Sequence, residues 1–119
     1  MIQQNFRNIH FWEVIHPAVK VSVGLMDKDF ANETTLEHLG EKTGFNLRYI
    51  HRVFSEQMHI YPIHYLNRTR LSHALRLLRE TSDTVELIAE QCGFSGASYF
   101  SQSFRLPFGM LPSEYQKEG

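Results

Sequence analysis

From Pro17 onward the apolar positions of this chain recur with a helical period. Val19, Val23, Met26 and Phe30 are spaced 4, 3 and 4 apart, which gathers them on one helix face. Pro17 suits a first helical position, where its missing N–H would have no intrahelical partner anyway. Val19, Val21 and Val23 also alternate as in a strand, and Gly24 weakens a helix, so this segment carries a competing pattern. Thr34 with Glu37 stands in capping-box register ahead of a short helix from Leu36 to Thr43, which Gly44 ends. Asn46 caps the next helix, whose apolar face holds Leu47, Ile50, Val53 and Phe54. Pro62 opens a longer helix through Ile63, Leu66, Leu71, Leu75 and Leu78, ending near Glu80 at the polar break Thr81-Ser82-Asp83. Thr84 caps a helix with Val85, Leu87, Ile88 and Ala89 that stops at Gly93. Ser95 or Ser98 starts another, with Phe100 and Phe104 four apart, and Pro107 and Gly109 break it. Pro112-Ser113-Glu114 opens a last short turn.

The two halves repeat one another. Leu36-x-x-Leu39-x-x-x-x-Gly44-Phe45 matches Val85-x-x-Ile88-x-x-x-x-Gly93-Phe94, and Tyr49-Ile50 with Phe54 matches Tyr99-Phe100 with Phe104. Each copy is two short helices about a glycine turn, the sequence form of a helix-turn-helix. The predicted fold is therefore all-α: two helix-turn-helix subdomains joined by a long linker helix. The expected divisions are an extension or interdomain linker over 1–16, a first subdomain over 17–61, the linker helix over 62–80 and a second subdomain over 81–119.

Such a pair fits DNA. Adjacent major grooves on one face of a duplex lie about 34–36 Å apart. A helix from Pro62 to Arg79 spans roughly 27 Å at about 1.5 Å per residue. With the width of the flanking units added, it can hold two recognition helices one helical turn apart within one chain. On the first recognition helix, about 46–57, Arg48, His51 and Arg52 lie opposite the apolar face, and arginine can donate a pair of bonds to guanine O6 and N7. On the second, about 96–106, the outward positions are Gly96, Ala97, Ser98, Ser101, Gln102 and Arg105. Only Gln102 and Arg105 have reach, so the first unit is expected to supply most of the sequence discrimination.

Charge changes the picture only through its distribution. The net charge is −1, unpromising for a ligand of polyanions. Residues 44–79, however, carry six arginines against Glu56 alone, between acidic flanks of −2 and −4. Arg68, Arg70, Arg76 and Arg79 extend away from the apolar face of the linker helix. The single Cys92 excludes an internal disulfide and reads as a small buried hydrophobe. No apolar run approaches the roughly 20 residues of a membrane span, and no secretory signal is visible, so the expected location is cytoplasmic. The seven histidines show no paired metal spacing, and no phosphate loop or nucleophile elbow occurs. Neither a metal, a cofactor nor catalysis is expected. The aromatic series Phe94, Tyr99, Phe100, Phe104 and Phe108 reads as core rather than as a base-stacking platform.

From Leu36 to Tyr115 the chain resembles the DNA-binding domain of the AraC/XylS family. The resemblance rests on Leu36-Glu37-His38-Leu39, Gly44-Phe45, Phe54-Ser55-Glu56, Pro62-Ile63-His64-Tyr65-Leu66-Asn67, Arg70-Leu71, Ala74 and Leu77-Leu78. It continues through Ile88-Ala89, Gly93-Phe94, Ser98-Tyr99-Phe100, Phe104-Arg105, Phe108-Gly109 and Pro112-Ser113-Glu114-Tyr115. It implies about seven helices, promoter binding and contact with RNA polymerase. By position, Arg48, His51, Arg52, Ser98, Ser101 and Gln102 are expected to face bases. Thr35, Arg68, Thr84 and Arg105 are expected on the DNA backbone. The sequence departs from the family at His59, where glycine is usual, at Gly40 for alanine, at Leu111 for threonine and at Gln116 for a basic residue. Residues 1–16, with Phe6, Ile9, Phe11 and Trp12, read as a linker, a remnant of an effector-binding or dimerisation domain, or an extension of a small regulator. The competing reading is a helix-turn-helix scaffold used as a protein-interaction module.

Overall fold

The computed structural model describes residues 14–118; the aromatic residues noted above between Phe6 and Trp12 lie outside that range. Helix α1 (Pro17–Lys28) is followed by a 3-10 turn (Leu36–His38) that runs into α2 (Leu39–Thr43). Then come α3 (Leu47–Met58), α4 (Pro62–Glu80), α5 (Val85–Gln91), α6 (Ala97–Phe108) and α7 (Pro112–Glu118). The described residues form no strand, so the helical period of Val19, Val23 and Met26 prevails over the alternation through Val21: the first three are buried and Val21 is exposed.

Two separate cores result. In the first, Ile15, Val19, Val23, Met26, Leu39, Ile50, Phe54 and Leu66 pack together; in the second, Leu71, Ala74, Leu78, Ile88, Ala89, Phe94, Phe100 and Phe104. The boundary falls inside α4, between Leu66 and Leu71, so the linker helix lends one end of its apolar stripe to each unit. Ile15 and His16 belong to the first unit rather than to an extension. Ile15 is buried, and His16 caps α1, its Nδ1 accepting from the Ala18 N–H at 2.9 Å. Tyr65 ties α4 to α1 by donating to Asp27 at 3.0 Å; burial, and then that carboxylate, push its hydroxyl up to about 12. Cys92 is fully buried, and burial pushes its thiol up to about 11.

Several local expectations are corrected. The Thr34–Glu37 capping box does not form: Thr34 donates to the Asn32 carboxamide instead, leaving a 3-10 turn without a side-chain cap. Neither Ser95 nor Ser98 starts α6, whose N-cap is Gly96 in extended backbone. Pro107 does not break α6. It sits in the last turn, where only one backbone bond is forgone, and the helix ends at Gly109 in the left-handed region. Asn46 and Thr84 do cap α3 and α5, accepting from Tyr49 N–H at 2.8 Å and Leu87 N–H at 3.1 Å.

His59 ends α3 with φ 58° and ψ 29°, the one non-glycine at positive φ among the described residues. A side chain there costs about 1–2 kcal/mol, partly offset by the larger unfolded-state entropy that glycine brings. His59→Gly is expected to raise stability by about 1 kcal/mol in urea denaturation; a lower midpoint at unchanged slope would show that the imidazole makes compensating contacts.

Candidate nucleic-acid interface

The apolar face of α3 is spent on the first core through Ile50, Val53 and Phe54. Its opposite face therefore presents Arg48, His51 and Arg52 to solvent, all exposed. Arg48 pairs with no carboxylate among the described residues. Arg52 lies 3.6 Å from Glu56, both side chains about three-fifths exposed, and its guanidinium carbon stands 5.3 Å from the centroid of the Tyr49 ring. An exposed i,i+4 pair is worth a few tenths of a kcal/mol, about 0.3–0.5, so it orients Arg52 without holding it back from a stronger acceptor. His51 is stacked on Tyr61, with centroids 4.8 Å apart and planes at 22°. Tyr61 is a site-shaping residue that the sequence did not single out, because it lies in the connection after α3.

On α6 the same logic applies with weaker side chains. Phe100 and Phe104 face inward; Ser98 and Gln102 are exposed, Ser101 is half-buried, and Arg105 projects from the last turn. The long axis of the molecule is 43 Å, longer than the about 34–36 Å between adjacent major grooves.

Between α4 and α6 lies an open groove of about 670 Å³, lined by His64, Asn67, Arg68, Tyr99, Gln102 and Leu106 among others. It brings Arg68 and Gln102 together although they are far apart in sequence. His64 joins them there, again unforeseen, since a lone histidine on a helix carries no signature.

Two basic or polar candidates are not available at the surface. Thr35 is 2% exposed, its hydroxyl donates to the carbonyls of Asp29 and Asn32, and its N–H bonds Asn32 as well. It tethers the loop after α1 and cannot reach a phosphate in this arrangement. Arg70 is 6% exposed and points inward, so its guanidinium is not available for a phosphate contact. Arg76 lies 3.6 Å from Glu80. The outward cations of the basic segment are thus fewer than its sequence suggests: Arg48, Arg52, Arg68, Arg76 and Arg79 are exposed, and Arg52 and Arg76 each stand beside an exposed carboxylate four residues on. Thr84, by contrast, is exposed; its oxygen caps α5 while its proton stays available for a phosphate oxygen. Gln116, where a basic residue is usual, donates to the Asp83 carbonyl at 2.7 Å and fastens α7 to the Thr81–Thr84 connection.

Similarity to known proteins agrees with this arrangement. A family profile described as a helix-turn-helix domain matches residues 39–118. The HTH-type transcriptional activator RhaS of Escherichia fergusonii is 35% identical over 95 residues, which is 80% of this chain and 34% of that protein. The chain thus spans about a third of the length of the curated relatives it matches. Among solved structures, the C-terminal domain of AraT, a response regulator from Geobacillus stearothermophilus, superposes with a TM-score of 0.82 at 28% identity, covering 89% of this chain and 88% of that one. A probable AraC family transcriptional regulator from Rhodopseudomonas palustris superposes at 0.78 with 31% identity, covering 87% and 97%. Domains of this kind are DNA-binding modules and not enzymes. The chain belongs to the AraC/XylS family of helix-turn-helix DNA-binding transcription regulators.

Proposed function

We propose that α3 and α6 enter adjacent major grooves on one face of promoter DNA and read it as a bipartite site within a single chain. The observation that carries this reading is the paired exposure of polar faces on α3 and α6, each backed by its own hydrophobic core and joined by α4. In the first unit Arg48, His51 and Arg52 contact base edges; in the second, Ser98, Ser101 and Gln102 do so over a less demanding surface. Arg68, Thr84 and Arg105 hold the DNA backbone. The place of Arg68 in the groove between the units supports its contact with the strand that crosses from one major groove to the next.

Three further parts of the reading concern the whole protein. Regulation takes the form of activation, in line with the similarity to RhaS, through contact with RNA polymerase. An effector-binding or dimerisation domain precedes this one, in keeping with the two-thirds of RhaS that the chain does not span. The site of action is the cytoplasm; no described helix is long and apolar enough to cross a membrane.

The test is selection of sites from random duplex DNA, followed by affinity measured across a salt series. Two half-elements about 10 base pairs apart are the expected winner, with log K falling linearly in log salt. Arg68→Ala should weaken all sequences alike and reduce the salt slope by about 1. No enrichment, with weak and salt-insensitive binding, would turn the reading toward a protein-interaction module, which the −4 balance of residues 80–119 favours.

A further inference from the structure

The two cores share only α4, so the angle and distance between the recognition helices depend on whatever stiffens the junction beside that helix. The sequence repeat shows where to look. Gly44 and Gly93 occupy equivalent positions, both at positive φ (80° and 87°). A Cβ added to Gly44 would meet nothing within 4 Å. One added to Gly93 would lie 2.6 Å from the Phe30 carbonyl oxygen and 2.9 Å from Arg70 Nε. The turn of the second unit is therefore pressed against the end of α1 in the first, with Arg70 in the same contact.

Arg70 closes that contact. Its Nε donates to the Phe30 carbonyl at 2.8 Å and a terminal nitrogen donates to the Asn32 carbonyl at 3.0 Å. Around it, the Phe30 and His73 rings stack with centroids 3.7 Å apart and planes at 2°, and Asn67 donates to the Tyr99 hydroxyl at 2.9 Å. The guanidinium is almost fully buried with no carboxylate within 4 Å among the described residues. Burial pulls its pKa below the usual arginine value, against raising contributions from Tyr99, Glu33 and Cys92. A buried charge without a counter-ion is a poor way to fill space, because an apolar side chain of similar volume is often as stable or more so. What the planar fork supplies is direction: two bonds to two fixed carbonyls.

Building on the bipartite reading above, we propose that Arg70 is a positioning residue that sets the spacing between half-elements the protein accepts, by locking the first unit's Phe30–Asn32 segment to the linker helix beside Gly93. It touches no DNA. Without it each unit keeps its core and its recognition helix, but the phase between the two helices relaxes.

The experiment uses the selected site and variants of it with the half-elements moved one or two base pairs closer or farther, together with a single half-element. It compares the wild type with Arg70→Met and Arg70→Lys, each checked by circular dichroism. For the wild type, affinity should fall at least about tenfold for a shift of one base pair, since each step turns one half-element away from its helix. Arg70→Met should bind the single half-element as the wild type does, and its spacing profile should flatten to within about threefold. Arg70→Lys, with one compact head in place of a fork, should fall between the two. A wild-type profile in a folded Arg70→Met overturns the proposal. So does unfolding of both variants, which would make Arg70 a residue that holds the fold rather than one that tunes its register. A wild type with no preference for a bipartite site would instead sink the DNA-reading model on which the proposal rests.

Discussion

Arg48→Ala combined with Arg52→Ala is expected to weaken binding to the selected site by about 2–6 kcal/mol, roughly 30-fold to 20,000-fold in Kd. The magnitude follows from what each guanidinium can do in a major groove, where one good bidentate pair to guanine is worth about 1–3 kcal/mol of discrimination. Both side chains are exposed, and the contacts they give up in the free protein are slight: an exposed pair with Glu56 and a cation–π contact over the Tyr49 ring. The fold should therefore be untouched, and the loss should appear in binding alone. Non-specific DNA serves as the internal control, because its affinity depends on phosphate charge and should fall much less than affinity for the selected site. The same substitution at Gln102 should cost less, about 1 kcal/mol, because it removes a single neutral side chain. If the double variant kept wild-type affinity for the selected site, α3 would not be the principal reading helix.

The architecture was legible because helix boundaries and core positions are local properties. Asn46, Thr84, Pro62 and Pro112 mark starts through capping and ring geometry, and α4 does end at Glu80, as its polar break predicts. The repeat correctly paired Leu39 with Ile88 and Phe54 with Phe104 as core. The matched pair Phe45 and Phe94 differ in burial, at 38% and 2% exposed. Periodicity cannot tell a turn that faces solvent from one pressed on a neighbour, and Phe94 follows the glycine that abuts the first unit. The same blindness put Arg70 among the outward cations; Thr35, expected on the DNA backbone by resemblance, is buried with its hydroxyl turned to the Asp29 and Asn32 carbonyls. An arginine off the apolar stripe normally reaches water; this one finds two carbonyls from a loop forty residues earlier, and only tertiary structure can bring those together. Exposure of Arg48, His51, Arg52, Ser98 and Gln102 was legible, since it is the complement of an amphipathic core face. The companionship of Arg68, His64 and Gln102 in one groove was not, being a product of how α6 docks on α4.

Phe104→Ala should destabilise the second unit by about 3–5 kcal/mol while leaving the first largely intact. The ring is completely buried and meets Phe100 at 5.9 Å, Phe108 at 4.4 Å and Tyr115 at 5.9 Å between centroids, so its removal strips contacts from α6 and α7 together. The buried residues of the two units form separate clusters, joined through α4 and at the contact of Gly93 and Arg70 with the Phe30–Asn32 segment. A domain of ordinary stability has about 5–15 kcal/mol in all, and half of one has less, so the loss approaches the whole margin of the second unit. Hydrogen exchange resolves the outcome residue by residue. Amides around Leu78, Ile88 and Phe100 should lose protection first, while those around Ile50 and Phe54 keep theirs. On DNA the variant should keep affinity for the first half-element alone and lose the gain from the second. Equal loss of protection in both cores would mean that the junction around Arg70 and Gly93 couples them into one cooperative unit. In that case the clamp carries stability as well as register, and α4 transmits unfolding rather than insulating one unit from the other.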